Sequence, residues 1–367
     1  MDLTATTAHL AAASADLVRL VPAKLVDPVL AGVVLTAAPA GLTLSATDRE
    51  RSASVESPAI VHTEGRVLVP AKPLAETLRA LGDDRVRLVV EGSRLAIRTD
   101  TARFALPLLD IDLHPGVPAN QETAHGTVSG AHLAEALATV AGTASRDDAL
   151  PLFTGVRVRA EGRELVLRAT DRYRMAIATI PWTPAGETDL DALVPAALLQ
   201  EIGKQVAAEP AVELRTSANS FTATWPHSTA TTAVLDGTFV SEANIVLSKV
   251  DTTVETDADA LSAAARRVAL HTNPRGVVTL EVGDTHLKVR TTPDAEGEAE
   301  EHLKATPTGG RTSPSYQSRY LVDALRPFAG GPVTLAIQPG MRATILTTPE
   351  PGEVKITYIL VPIRPQS

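Results

Sequence analysis

Two blocks in this 367-residue chain place an aspartate among arginines: SATDRERSA beginning at Ser45 and RATDRYRMA beginning at Arg168. A carboxylate becomes a catalytic or metal-binding group when a histidine or second carboxylate stands at matched spacing. The nine histidines are scattered, with no HExxH and no paired His/carboxylate pattern. Cysteine is absent, which removes thiolate zinc sites, disulfides and cysteine nucleophiles together. No Walker A, GxGxxG or GxSxG segment occurs either. Asp48 and Asp171, set identically in two copies, therefore read as residues that close equivalent turns. No catalytic residue, metal or cofactor is expected. What remains is binding, through charge and through apolar surface.

Net charge of −9 argues against a nonspecific nucleic-acid coat, although an acidic total can coexist with a basic inner surface. Hydrophobic residues make up 44% and aromatics only 3%, so the cores must be aliphatic. The N-terminus MDLTATTAHL lacks the pattern of a signal peptide, and no apolar run approaches the roughly 20 residues that span a bilayer. A cytoplasmic protein without membrane partners is expected.

A domain-scale repeat organises the chain. AHL at 8–10 returns at 131–133, PVLAGVVL at 28–35 returns as PLFTGVRV at 151–158, and the Ser45 block returns at Arg168. All three pairs share an offset of 123 residues. VLVPAKPLAETL and ALVPAALLQEIG continue the match with a shift of two. A weaker third copy has LKVRTTPD at 287–294, with DALSAAARRVAL at 259–270 and SRYLVDALRPF at 318–328 as its helices. Each unit carries two amphipathic helices, marked by Leu74, Leu78 and Leu81, by Leu133, Leu137 and Val140, or by Leu321, Leu325 and Phe328. Between them run alternating strands with hairpin turns at Glu91-Gly92-Ser93 and Glu161-Gly162-Arg163. This is an α+β chain of three repeated domains, 1–120, 126–243 and 244–367, each with two helices on antiparallel sheet.

The ATDRYRMA motif, the LVPA-plus-helix block and the C-terminal Tyr358-Ile359-Leu360-Val361-Pro362-Ile363-Arg364 resemble the bacterial DNA polymerase III β sliding clamp family over essentially the full length. The resemblance implies a head-to-tail homodimer closed into a six-domain ring, with helices lining the hole. It implies a non-catalytic accessory subunit that encircles double-stranded DNA. Its partners would be the polymerase III α subunit, the clamp loader and repair polymerases, bound through short linear peptides.

Basic residues near the helices are then the candidates for DNA: Arg19, Lys24, Lys72, Arg79, Arg146, Lys204, Arg266, Arg267, Arg275 and Arg326. Any one of them reads equally well as part of a solvated helix face. Lys24 and Arg146 flank the repeated PVLAGVVL/PLFTGVRV strand, whose loop faces DNA in the family. TATTAHLAAASADLVRL and AHLAEALATVAGTASR are nearly free of Lys and Arg until their ends, so a weak, salt-sensitive contact is expected.

For the partner peptide, the resemblance implies an apolar pocket built by the second and third domains. It would use Phe153, Thr170, Arg172, Tyr173, Arg174 and Met175 of the second unit, with Val240, Asn244 and Ile245 of the linker. The third unit would add Tyr320, Arg342, Ile359, Val361, Pro362, Ile363 and Arg364. Taken singly, Met175, Ile359, Val361 and Ile363 also fit a plain core. Arg172 stands where the family has a small residue, Tyr173 replaces the Glu50 of the first copy, and the linker Gly237-Thr238-Phe239-Val240-Ser241-Glu242-Ala243-Asn244-Ile245 departs from the family's usual pattern of a proline, an aromatic and an arginine. Altered walls imply a different peptide preference, or resistance to inhibitors that mimic the peptide. A composition rich in Ala, Val, Thr and Arg fits a specialised second copy, or a decoy paralogue, in a high-GC actinobacterium.

Overall fold

The computed structural model describes residues 1–21, 27–117, 123–186, 189–240, 249–292, 297–340 and 342–363. The described residues include six α-helices: α1 Thr7–Leu20, α2 Ala71–Ala80, α3 Gly130–Val140, α4 Ala196–Val206, α5 Ala258–Ala269 and α6 Ser318–Leu325. Each repeat holds two of them on antiparallel sheet, an α+β arrangement. The chain divides into two compact units, residues 1–134 with 183–234 and residues 135–182 with 235–367.

In the first unit a five-stranded sheet runs in the order Ala59–Thr63, Asp2–Thr6, Arg85–Glu91, Arg94–Arg98, Arg103–Pro107. A second sheet joins two repeats. The strand Ser228–Ala233 pairs antiparallel with Arg51–Ser57, Ala230 opposite Ala53, and Gly41–Thr47, Gly32–Ala38 and Gly65–Pro70 follow beyond it. In the second unit the equivalent junction pairs Arg174–Pro181 with Lys355–Leu360, Ala176 opposite Tyr358. Beyond it the sheet continues through Thr344–Thr347, Pro332–Ile337, Thr252–Asp257, Glu300–Gly309, His286–Thr291, Val277–Val282 and Ser315–Gln317. One long strand bridges two faces there: its second half pairs with Thr252–Thr256 and its first half, Glu300–Lys304, with His286–Arg290.

Alternation explains the burial. Leu42, Leu44 and Ala46 turn inward from one strand, and Val86 and Leu88 from another. Helix α1 places Leu10, Ala13, Leu17 and Leu20 in the core, a spacing set by 3.6 residues per turn, and packs against α2 and α4. In the second unit α5 packs on α6, and Leu261, Ala264 and Ala265 of α5 and Leu321 of α6 are buried. Gly130 opens α3 where a Cβ would collide with the carbonyl oxygens of Val206 and Glu209, so the close approach requires glycine. Leu81, expected on the second helix, is its extended C-cap. Among the described residues no helix is long and apolar enough to cross a membrane.

His114 closes the short turn Ile111–Leu113, and its Nδ1 accepts the Gly116 N–H at 3.1 Å. The other ring nitrogen is buried without a partner among the described residues. Burial, aided by the Arg66 charge, holds the imidazole below its ordinary value. The unfolded chain therefore takes up this proton before the folded one does, and stability must fall as pH drops below about 6.5. His114→Asn is expected to remove that part of the acid sensitivity, measured as the pH dependence of the urea midpoint. An unchanged slope would place the sensitivity elsewhere.

Candidate functional site

The two aspartate blocks fold into the same turn. In the second copy the Asp171 carboxylate accepts the N–H groups of Tyr173 at 3.0 Å and Arg174 at 3.1 Å. The Thr170 hydroxyl donates to the Arg174 carbonyl at 2.6 Å and accepts the Arg172 N–H at 3.1 Å. In the first copy Asp48 accepts Glu50 and Arg51 N–H groups at 3.0 and 2.7 Å, and Thr47 repeats the part of Thr170. The third turn position lies in the left-handed region in both, φ 78° at Arg49 and 81° at Arg172, a conformation that favours a residue without Cβ. Here an arginine occupies it, held by the satisfied turn around it.

That geometry throws Arg172 outward between two rings, its guanidinium 5.9 Å from the Phe153 centroid and 5.6 Å from that of Tyr173. Tyr173, 52% exposed, stacks on Tyr320 of α6 at 6.0 Å and 17°. Arg174 underlies the stack, 4.8 Å from the Tyr320 ring. It bonds Asp171 at 2.9 Å and reaches Asp323 of α6 at 2.7 Å. Burial alone would favour a neutral guanidinium, but Tyr358 and the Asp323 and Asp171 carboxylates outweigh it and hold Arg174 above its ordinary value. Arg319 lies 4.6 Å from the Tyr320 ring and spends its N–H groups on Gln317 and the Tyr320 hydroxyl.

The C-terminal strand brings the tail to the same place. Met175 sits opposite Ile359 in the ladder, and both are buried, 1% and 6% exposed. The Val361 N–H donates to the Tyr173 carbonyl at 3.0 Å, which leaves the Val361 side chain 44% exposed beside the tyrosine. The Ile363 N–H donates to the Ser315 carbonyl at 2.8 Å, and Pro362 is buried. Phe153, Tyr320 and Val240 are half-buried, and Arg342 is exposed. Thr170 is buried with its hydroxyl committed to the turn. Asn244, Ile245 and Arg364 lie outside the described residues. The structure thus gathers Phe153, Arg172, Tyr173, Arg174, Tyr320 and Val361 around one aromatic and cationic surface. Asp323 and Arg319 belong to it as well and were missed in the sequence; their signal was proximity to Tyr320, at i+3 and i−1 on the same short helix.

The basic candidates divide by their partners. Arg19 pairs with Asp16, and Lys72 lies 3.8 Å from Glu76. Lys204 lies 2.6 Å from Glu201, and Arg326, in the turn after α6, lies 3.4 Å from Asp323. Arg267 binds Glu301 through two bonds of 2.7 Å. Arg79, Arg146, Arg266 and Arg275 have no ion pair among the described residues, and of these only Arg79 and Arg266 are on helices. Lys24 lies outside the described residues. Among the described residues no three His, Asp or Glu side chains converge as a metal site.

Family models for the N-terminal, central and C-terminal domains of the DNA polymerase III beta subunit match residues 1–118, 127–241 and 245–364. The chain belongs to this sliding clamp family. The family's members are non-catalytic processivity subunits of DNA polymerase III. A beta sliding clamp from Streptomyces coelicolor is 31% identical over 369 residues, covering 97% of each chain. The beta sliding clamp homolog GriR of Streptomyces muensis is 31% identical over 301 residues, 81% of this chain and 80% of that one. Among solved structures, a Pseudomonas aeruginosa sliding clamp bound to griselimycin superposes with a TM-score of 0.92 at 20% identity, covering 99% of both chains.

The two turns give a direct comparison. Asp48→Ala removes turn hydrogen bonds only and is expected to cost about 1–2 kcal/mol. Asp171→Ala also strips a carboxylate from the half-buried Arg174 and is expected to cost about 2 kcal/mol more. Urea unfolding midpoints of the two variants measure the difference; equal losses would mean that the Asp171–Arg174 pair adds nothing.

Proposed function

We propose that this chain acts as a tether, two copies closing head to tail into a ring of six repeats around duplex DNA. The observation that carries the reading is a rule visible twice: the strand after each Thr-Asp turn pairs with the last strand of the following repeat, as 51–57 with 228–233 and 174–181 with 355–360. The third pairing has no partner strand left among the described residues. Glu300–Lys304, the equivalent strand of the third repeat, has one bare edge among the described residues, and Arg103–Pro107 ends the five-stranded sheet of the first repeat. Bare edges invite pairing. Phe104 is an exposed apolar side chain on one, and near the other stands Leu270, 81% exposed, one helical turn past the Arg267 that grips Glu301. Pairing these edges between two copies uses both twice and closes the ring.

Domains of 1–120, 126–243 and 244–367 are the repeats of that ring. Backbone-directed electrostatic contact from its helices would hold DNA without reading sequence, as sliding demands. The aromatic surface around Tyr173 would receive the linear peptides of the polymerase α subunit, the clamp loader and repair polymerases, in the cytoplasm. A second reading has a specific observation in its favour. Arg172, set in the wall against the Phe153 and Tyr173 rings, supports a specialised copy whose altered pocket resists peptide-like inhibitors.

Clamp loaded on a nicked circular plasmid is expected to stay during gel filtration and to run off once the plasmid is linearised. Leu270→Asp is expected to give a folded monomer by light scattering that is not retained on either form. Retention that ignores linearisation would sink the encircling reading.

Arg266→Glu is expected to shorten retention on circular DNA at low salt while the dimer persists, because this exposed side chain has no ion pair among the described residues. Arg267→Glu should also weaken the dimer, since it sets like charge against Glu301 at the edge strand. If Arg266→Glu leaves retention unchanged at low salt, α5 does not face the DNA.

A further inference from the structure

We infer that Arg172 makes the surface around Tyr173 selective for a peptide carrying a carboxylate next to its apolar anchor; the inference rests on the partner-peptide reading above. Four arginines stand in this cluster, and their commitments differ. Arg174 is bound by Asp171 and Asp323, Arg326 leans on Asp323, and Arg319 is occupied by Gln317 and the Tyr320 hydroxyl. Arg172 alone of the four has no acceptor for its guanidinium among the described residues, and its contacts are the faces of Phe153 and Tyr173.

A guanidinium clasped by ring faces keeps its charge and turns its N–H edge to solvent. Being already held, it loses little rotamer freedom when an acceptor arrives, and its fork matches a carboxylate in two-bond geometry. Two aspartates against four arginines leave this patch positive on a chain of net charge −9, so charge complementarity favours an acidic occupant. The apolar half of the occupant is set by Tyr173 and Val361, both exposed and joined through the 3.0 Å bond from the Val361 N–H to the Tyr173 carbonyl. An Asp or Glu adjoining an aliphatic or aromatic anchor meets both features at once. A small residue at the Arg172 position would offer no such donor.

The test uses the full-length chain and two fluorescein-labelled peptides that differ only in Asp or Asn immediately before a Leu-Leu anchor, with a polymerase α-derived peptide alongside. Fluorescence polarisation at low salt is expected to give about fivefold tighter binding of the Asp peptide, the size of an exposed but preorganised ion pair. The preference should shrink with added salt and vanish in both Arg172→Gln and Arg172→Gly, the second being well suited to the positive φ of 81°. Equal binding of the Asp and Asn peptides by the wild-type chain overturns the inference and leaves the recruiting reading intact. A preference that persists in both variants overturns it in the same way. Failure of all three peptides to bind the wild-type chain at millimolar concentration overturns the recruiting reading itself.

Discussion

A strand inside a sheet must satisfy backbone donors and acceptors on two sides, and this constraint shapes the chain more than any side-chain contact. Each repeat ends its sheet on a strand that cannot be completed from within. The ladder of 51–57 with 228–233 answers the need for one pair of repeats, and that of 174–181 with 355–360 answers it for the next. Because the ladder fixes register residue by residue, it also fixes which side chains meet at the junction. Met175 opposite Ile359 seals the apolar side, and Tyr173 and Val361 come out beside one another at the ladder's end. The candidate binding surface is thus a by-product of closing a sheet.

Electrostatics then sharpen what the ladder places. In the first unit the Thr-Asp turn is held by its own hydrogen bonds and accepts the Ala233 N–H at the Glu50 carbonyl at 2.8 Å. In the second the arginine at the same position, Arg174 where the first has Arg51, reaches Asp323 on α6 and ties hairpin to helix at 2.7 Å. One turn sequence, used twice, is structural in one setting and the foundation of a surface in the other. The helices tell an opposite story. Most of their cations are matched to neighbouring carboxylates, as Lys204 with Glu201 and Arg267 with Glu301, so little of their charge projects as a field.

Much of the fold was legible in the sequence because repetition multiplies weak signals. The constant 123-residue offset, the two hairpin turns and the helical spacing of Leu133, Leu137 and Val140 each became structure as read. The turn roles of Asp48 and Asp171 followed from their duplication. The candidate surface was only half legible. Tyr173 and Val361 could be named, but not that a single backbone bond sets them side by side, and for Met175 and Ile359 the sequence left core and pocket wall as alternatives that only the ladder separates. Asp323 stayed hidden since its partner Arg174 lies 149 residues away, and pairing across such a distance leaves no local pattern. Among the basic residues, Lys204 and Lys72 have carboxylates at helical spacing that the sequence does show, whereas Arg267 pairs with Glu301, 34 residues away, and left no local pattern.

The division into compact units has a consequence for how the molecule comes apart. Its boundaries run through the middle repeat, near residues 134 and 182, and not between repeats. The compact units are therefore offset from the pieces that were duplicated. Half of the middle repeat is expected to exchange its amide hydrogens with the first repeat's sheet, and half with the third. Evolution copied one segment of chain; cooperativity, following the shared ladders, counts by another.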